Sequence, residues 1–130
     1  MAEPHLFDFG DGVPVPAHRH INPNGKLGGW VAETAHVAPT TTVTENARVF
    51  DRAYIAGRGK ITDYASVFGD VLILGDPIIF GHALVFGKTW IVGNPWIYGY
   101  TSIYGNTFIQ SASKIKDALI IDGKLNSAIG

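Results

Sequence analysis

Every sixth residue from Val31 to Ile121 is valine or isoleucine: Val31, Val37, Val43, Val49, Ile55, Ile61, Val67, Ile73, Ile79, Val85, Ile91, Ile97, Ile103, Ile109, Ile115 and Ile121. An α-helix turns once in about 3.6 residues, so a six-residue period walks around its surface and builds no buried face. Strand geometry, with side chains alternating every second residue, keeps them all on one side. Two places before most of these aliphatics stands a small residue, as at Gly29, Ala35, Thr41, Ala47, Ala53, Gly59 and Ala65, with Val71 and Leu119 as exceptions. Two places after, glycine is unbroken from Gly69 to Gly105. Glycine supplies backbone angles that other residues resist. The pattern therefore describes short β-branched strands, each turned at a corner and stacked on an earlier coil at about 4.8 Å.

The stretch GGWVAETAHVAPTTTVTENARVFDRAYIAG, residues 28–57, and the hexads that follow it resemble the hexapeptide-repeat family of left-handed parallel β-helices. More narrowly, a GGWV opening that leads into NARV-type repeats is similar to repeat proteins of phages and bacteria. The resemblance implies three hexads per triangular coil. It also supplies the left hand, because crossovers between parallel strands are otherwise right-handed. The expected architecture is all-β: a triangular left-handed parallel β-helix of about five coils of 18 residues over residues 28–123. An extended N-terminal arm over residues 1–27 precedes it, and a cap or tail over residues 124–130 follows. The tail reads as a last coil, with Ile115 and Ile121 in register, or as a short helix, with Ile121, Leu125 and Ile129 spaced by four.

A chain of 130 residues suffices for one domain with its own core. Its formal net charge of −1 creates no field to attract nucleic acid or an anionic membrane. Cysteine is absent, which removes disulfides, thiolate metal sites and thiol nucleophiles together. No apolar run of about 18 residues occurs, and the opening MAEPHLFDFGDG has neither the basic start nor the apolar core of a secretory signal. The expectation is a soluble chain, cytoplasmic when made, with no nucleic-acid and no membrane partner. The phage resemblance adds the virion as a setting.

Two enzyme classes share the implied fold. Acyltransferases of this kind carry a long loop at one corner and a histidine general base, with acyl-CoA as donor at a subunit interface. Here the repeat runs from 31 to 121 without a break, so it leaves no room for such a loop. His82 is the one weak catalytic candidate, with His36 as its alternative, and a general base also needs an orienting partner and a cleft. Carbonic anhydrases of this fold join three histidines on zinc. The sequence HRH places His18 and His20 on one side of an extended segment, a weak metal half-site, while His5, His36 and His82 do not match that spacing. The reading leans away from an enzyme, with no cofactor expected.

The more telling feature lies outside the core. Stepping by eighteen, the residue after the inward aliphatic reads Phe50, Phe68, Phe86, Tyr104 on one face. The residue before reads Tyr54, Leu72, Trp90, Phe108 on the next, flanked by Leu74 and Val92. On the third, Ile78 precedes Trp96 and Phe80 precedes Tyr98, and Leu84 completes the apolar set. Between Val71 and Ser113 the formal charges are Asp76 and Lys88 alone. Stacking between coils accounts for part of this surface. The remainder exceeds the few hundred Å² of apolar patch usual on a monomer. A self-associating structural protein, with a homotrimer favoured, is the expected function, the arm contributing further cover. In the viral setting such a prism decorates a capsid or forms part of a tail. The alternatives are an acyl-CoA-dependent acyltransferase and a phage-borne inhibitor of a host defence protein.

Overall fold

The inward rows of Val and Ile set the architecture. The computed structural model describes residues 5–128. Three antiparallel strands come first: β1 (His5–Phe7), β2 (Val15–Ile21) and β3 (Leu27–Ala32). With β3 the chain enters the solenoid, and β4 (His36–Val37) and β5 (Thr42–Val43) complete coil 1. Coil 2 consists of β6 (Arg48–Val49), β7 (Tyr54–Ala56) and β8 (Lys60–Ile61). Coil 3 consists of β9 (Ser66–Val67), β10 (Leu72–Gly75) and β11 (Ile78–Ile79). Coil 4 consists of β12 (Leu84–Val85), β13 (Trp90–Gly93) and β14 (Trp96–Tyr98). Coil 5 consists of β15 (Ser102–Tyr104), β16 (Phe108–Ile109) and β17 (Lys114–Lys116). The hairpin β18 (Ala118–Ile121) and β19 (Lys124–Ala128) closes the chain.

Within the solenoid the strands stack in parallel as three sheets, a triangular prism of about five turns. Sheet 1 has nine strands in the order β1-β2-β3-β6-β9-β12-β15-β18-β19. Sheets 2 and 3 have five each, β4 to β16 and β5 to β17 in steps of three. In register, Ile55 lies on Ile73 and Ile73 on Ile91, while Ile61, Ile79 and Ile97 form the matching column of sheet 3. Val43, Val49, Val67, Ile79, Val85, Ile91, Ile97 and Ile103 are sealed from solvent. The small position two residues earlier is buried as well, at Ala47, Ala53, Ala65 and Ala83. Where it is Thr, as at Thr89 and Thr101, the hydroxyl donates to the carbonyl three residues back, Phe86 or Tyr98, at 2.9 and 2.8 Å.

Corners explain the glycines. Gly69, Gly87 and Gly105 have φ between +75° and +78° or, at Gly87, +71°. A Cβ on Gly87 would lie 2.7 Å from the Gly105 nitrogen, closer than real contacts allow. The same left-handed corner is filled by aspartate at the ends of the columns, at Asp51, Asp63, Asp117 and Asp122. There the carboxylate earns its place by accepting a backbone N–H of the adjoining coil: Gly69 for Asp51, Gly81 for Asp63, Tyr100 for Asp117 and Asn106 for Asp122.

Three details differ from expectation. The sixteenth aliphatic slips by one residue: Ile120, not Ile121, pairs with Ile103, and Ile121 takes the outward place of Tyr104. The cause is a shortened corner. Tyr98 pairs with Lys116, whereas the Ala118 N–H already meets the Thr101 hydroxyl, so Asp117 alone does what Gly99 and Tyr100 do one coil earlier. Second, the tail forms neither a full coil nor a helix through Leu125 but the β18–β19 hairpin, and Ile129 lies outside the described residues. Third, the arm is not a single extended segment, although its Phe9 reaches Phe50 of coil 2. It folds back twice and extends sheet 1 above coil 1.

That N-terminal end is closed by side chains. The Asn22 amide donates to the Val43 carbonyl at 3.0 Å and accepts the Val43 N–H at 2.8 Å, standing in for a strand above β5. His20 donates from Nε2 to the Thr41 carbonyl at 2.7 Å, since a carbonyl only accepts.

Candidate interaction faces

Parallel register brings like positions of successive coils together, so each outward column becomes a stripe. On sheet 2 the column is His36, Tyr54, Leu72, Trp90 and Phe108. Trp90 is 51 % and Phe108 57 % exposed, with exposed Leu74 and half-buried Val92 beside them. Sheet 3 carries Lys60, Ile78, Trp96 and Lys114 in register, and the Lys114 ammonium sits 5.0 Å above the Trp96 ring. Phe80 and Tyr98 stack next to them at 4.8 Å. On sheet 1, Leu84 is exposed between Ser66 and Ser102.

The expected interface residues therefore divide into two sets. Phe50, Phe68, Phe86 and Tyr104 form one stack with centroids 4.6 to 4.8 Å apart, and Phe9 of the arm extends it above Phe50 at 4.7 Å. All five rings are half-buried and spend their faces on each other. Phe7 repeats the motif on Trp30 at 4.8 Å. Trp90, Phe108, Trp96 and Leu74 are different, because their exposed area is not taken up in this way. Trp90, Phe108 and Leu74, with Leu72 and Val92, leave an open apolar surface on sheet 2, whereas Trp96 lies apart on sheet 3 beneath the Lys114 ammonium.

The histidines fall in separate places. His82 is sandwiched between Tyr64 and Tyr100, at 5.3 and 4.9 Å, in an exposed corner stack. His36 stacks on Tyr54 at 4.7 Å. Among the described residues neither is hydrogen-bonded to a carboxylate. His18 and His20 part company because the pairing of β2 with β3 shifts register between Arg19 and Ile21. His18 stays exposed and pairs with Glu33 at 2.5 Å, whereas His20 is buried against coil 1. Burial holds the His20 imidazole below its ordinary pKa, the Thr41 carbonyl pulls the other way, and nearby His18 adds a small further depression. Among the described residues no group of three or more His, Cys, Asp or Glu is placed to hold a metal ion. Among them, too, no helix is long and apolar enough to cross a membrane.

Sequence reasoning missed the Asn22 and His20 cap, the aspartate corners and the Tyr64–His82–Tyr100 stack. For the stack a signal existed: a step of eighteen at the third residue after the aliphatic. For the cap there was none, since it lies outside the repeat.

Fold and faces together define a parallel β-solenoid with a sealed aliphatic interior and an aromatic flank. Comparison with protein-family models, curated proteins and solved structures finds no match to this chain.

Proposed function

We propose that the protein is a non-enzymatic structural and interaction module, a rigid prism that associates with its own copies through the outer face of sheet 2. The observation that carries this reading is the Leu72–Trp90–Phe108 column with Leu74 at its side, uncharged and open. A large aromatic surface that is not consumed by its own stack is stabilised by a partner. Side-by-side packing about a three-fold axis parallel to the prism buries one or two faces per copy and closes on itself. The regular hexads from Val31 to Ile115 and the 18-residue coil support placement in the left-handed hexapeptide-repeat family. With that placement the phage resemblance supports a virion role, on a capsid or a tail.

Sedimentation velocity tests the association. The wild type is expected as an oligomer of its 14.0 kDa chain, with the trimer favoured. Trp90→Lys with Phe108→Lys is expected to release monomer with an unchanged β-type circular-dichroism spectrum, because both side chains are outside the core. A wild type that sediments as a monomer across the micromolar range ends this reading.

A further inference from the structure

We propose that the cavity between the arm and the first aromatic stack binds a small apolar molecule carrying a positive charge, an alkyl- or arylamine. The cavity has a volume of about 390 Å³, within the range of about 300–1,000 Å³ typical of ligand pockets. It lies at the N-terminal end, away from the sheet 2 column, and does not depend on self-association. Phe9, Val13, Phe50 and Phe68 give it apolar walls. Because Phe50 and Phe68 are parallel within 4°, their faces are occupied and they offer ring edges. An edge excludes water but does not attract a cation, so charge recognition falls to other groups.

Three carboxylates line the same cavity, Asp11, Glu33 and Asp51, with no lysine or arginine among the lining residues. Each is anchored through one oxygen. Asp11 Oδ1 accepts the Val13 N–H at 3.0 Å, Glu33 Oε1 meets His18 Nδ1 at 2.5 Å, and Asp51 Oδ2 accepts the Gly69 N–H at 3.1 Å. The second oxygen of each has no protein partner among the described residues. Arg52, the neighbour of Asp51, is turned to Asp70 at 3.1 Å. The Thr34 hydroxyl donates to the Asp51 carbonyl and ties the wall from coil 1 to the wall from coil 2. Fixed negative groups around an apolar pocket complement a ligand with a hydrocarbon body and an ammonium head. A neutral ligand of the same shape gains only the body's share.

Calorimetric titration of the full chain with hexylammonium and with 1-hexanol at neutral pH tests this. Hexylammonium is expected to bind one to one, about tenfold tighter than 1-hexanol, the margin expected of three partly exposed carboxylates acting together. The margin should shrink as salt is added. Glu33→Gln with Asp11→Asn should remove most of the preference and bring binding close to the hexanol level, while Asp76→Asn, whose carboxylate serves the Arg58 N–H outside the cavity, leaves both affinities unchanged. Amide shift mapping on the wild type should centre on Phe9, Val13 and Phe68, and this reading holds even if the double variant fails to fold. Equal affinity for the two probes, no saturable heat, or shifts centred on Trp90 and Phe108 would each overturn the proposal.

Discussion

Coil 2 and coil 4 can be compared position by position, thirty-six residues apart. Inside, Val49, Ile55 and Ile61 match Val85, Ile91 and Ile97, and all six are buried to the same degree. Outside, Arg48 becomes Leu84, Tyr54 becomes Trp90 and Lys60 becomes Trp96. At the corners, Asp51 and Asp63 become Gly87 and Gly99, while Gly57 stays glycine as Gly93. Coil 2 thus meets water with charges and hydrogen-bonding corners, and coil 4 meets its surroundings with rings. The backbone is indifferent to this change. What a strand needs from its neighbours is the inward aliphatic and the corner geometry, so the outward positions are free to encode the partner.

If the interiors are equivalent, the two coils must fail alike. Ile91→Asp and Val49→Asp each place a charge where no side chain can pair it, and both are expected to abolish cooperative folding, a loss of more than about 4 kcal/mol. Circular dichroism and a thermal melt read the outcome. A folded Val49→Asp beside an unfolded Ile91→Asp would break the equivalence, and would mean that the early coils are held by the arm rather than by their own core.

The corners sharpen the comparison at lower cost. Gly87→Ala adds a Cβ 2.7 Å from the Gly105 nitrogen at φ +71°, and should lower stability by about 2 kcal/mol. Gly87→Asp adds the same Cβ but can accept the Gly105 N–H, as Asp51 accepts that of Gly69. It should recover roughly half of the loss, the value of one net hydrogen bond. Chemical denaturation of the two variants decides. An aspartate no better than alanine would show that the coil 2 corner depends on a local spacing that coil 4 lacks.

These particulars also show what a sequence reader could see. The interior was legible because one residue type recurs at one step, and every register pair from coil 1 to coil 5 follows from it. The slip at the end was signalled by Leu119, a large residue at a small position. Shifting by one puts Ala118 there, Ile120 inside and Asp122 at the corner. It was missed because Val71 breaks the small position in the same way with no slip after it, so the strict period overrode the misfit at Leu119. Of the outward residues, sequence alone named the columns but not which rings were already spent: Phe86 lies stacked between Phe68 and Tyr104, whereas Trp90, in register with Leu72 and Phe108, has no such stack. The cavity was out of reach entirely, because it needs the arm's fold over coil 2, and nothing periodic places Phe9 on Phe50.

The smallest expected effect separates the ends by acidity. His20 is buried against the Thr41 carbonyl at the N-terminal end, whereas His82 stands exposed in its tyrosine stack. Because burial depresses the His20 pKa below its ordinary 6.5, both folded and unfolded chains hold it neutral well above that value, and it contributes no pH dependence there. As the pH falls through 6.5 the unfolded chain takes up the proton first. Stability then declines, until the folded-state pKa is passed and the two forms are again equally protonated. The wild-type melting temperature should therefore drop by a few degrees between pH 7 and pH 5. His20→Gln keeps a donor for Thr41 but cannot titrate, so the part of the slope due to this site should vanish. A slope that persists undiminished in His20→Gln would place the acid-sensitive contact elsewhere and reverse the assignment of polar duty to the N-terminal end.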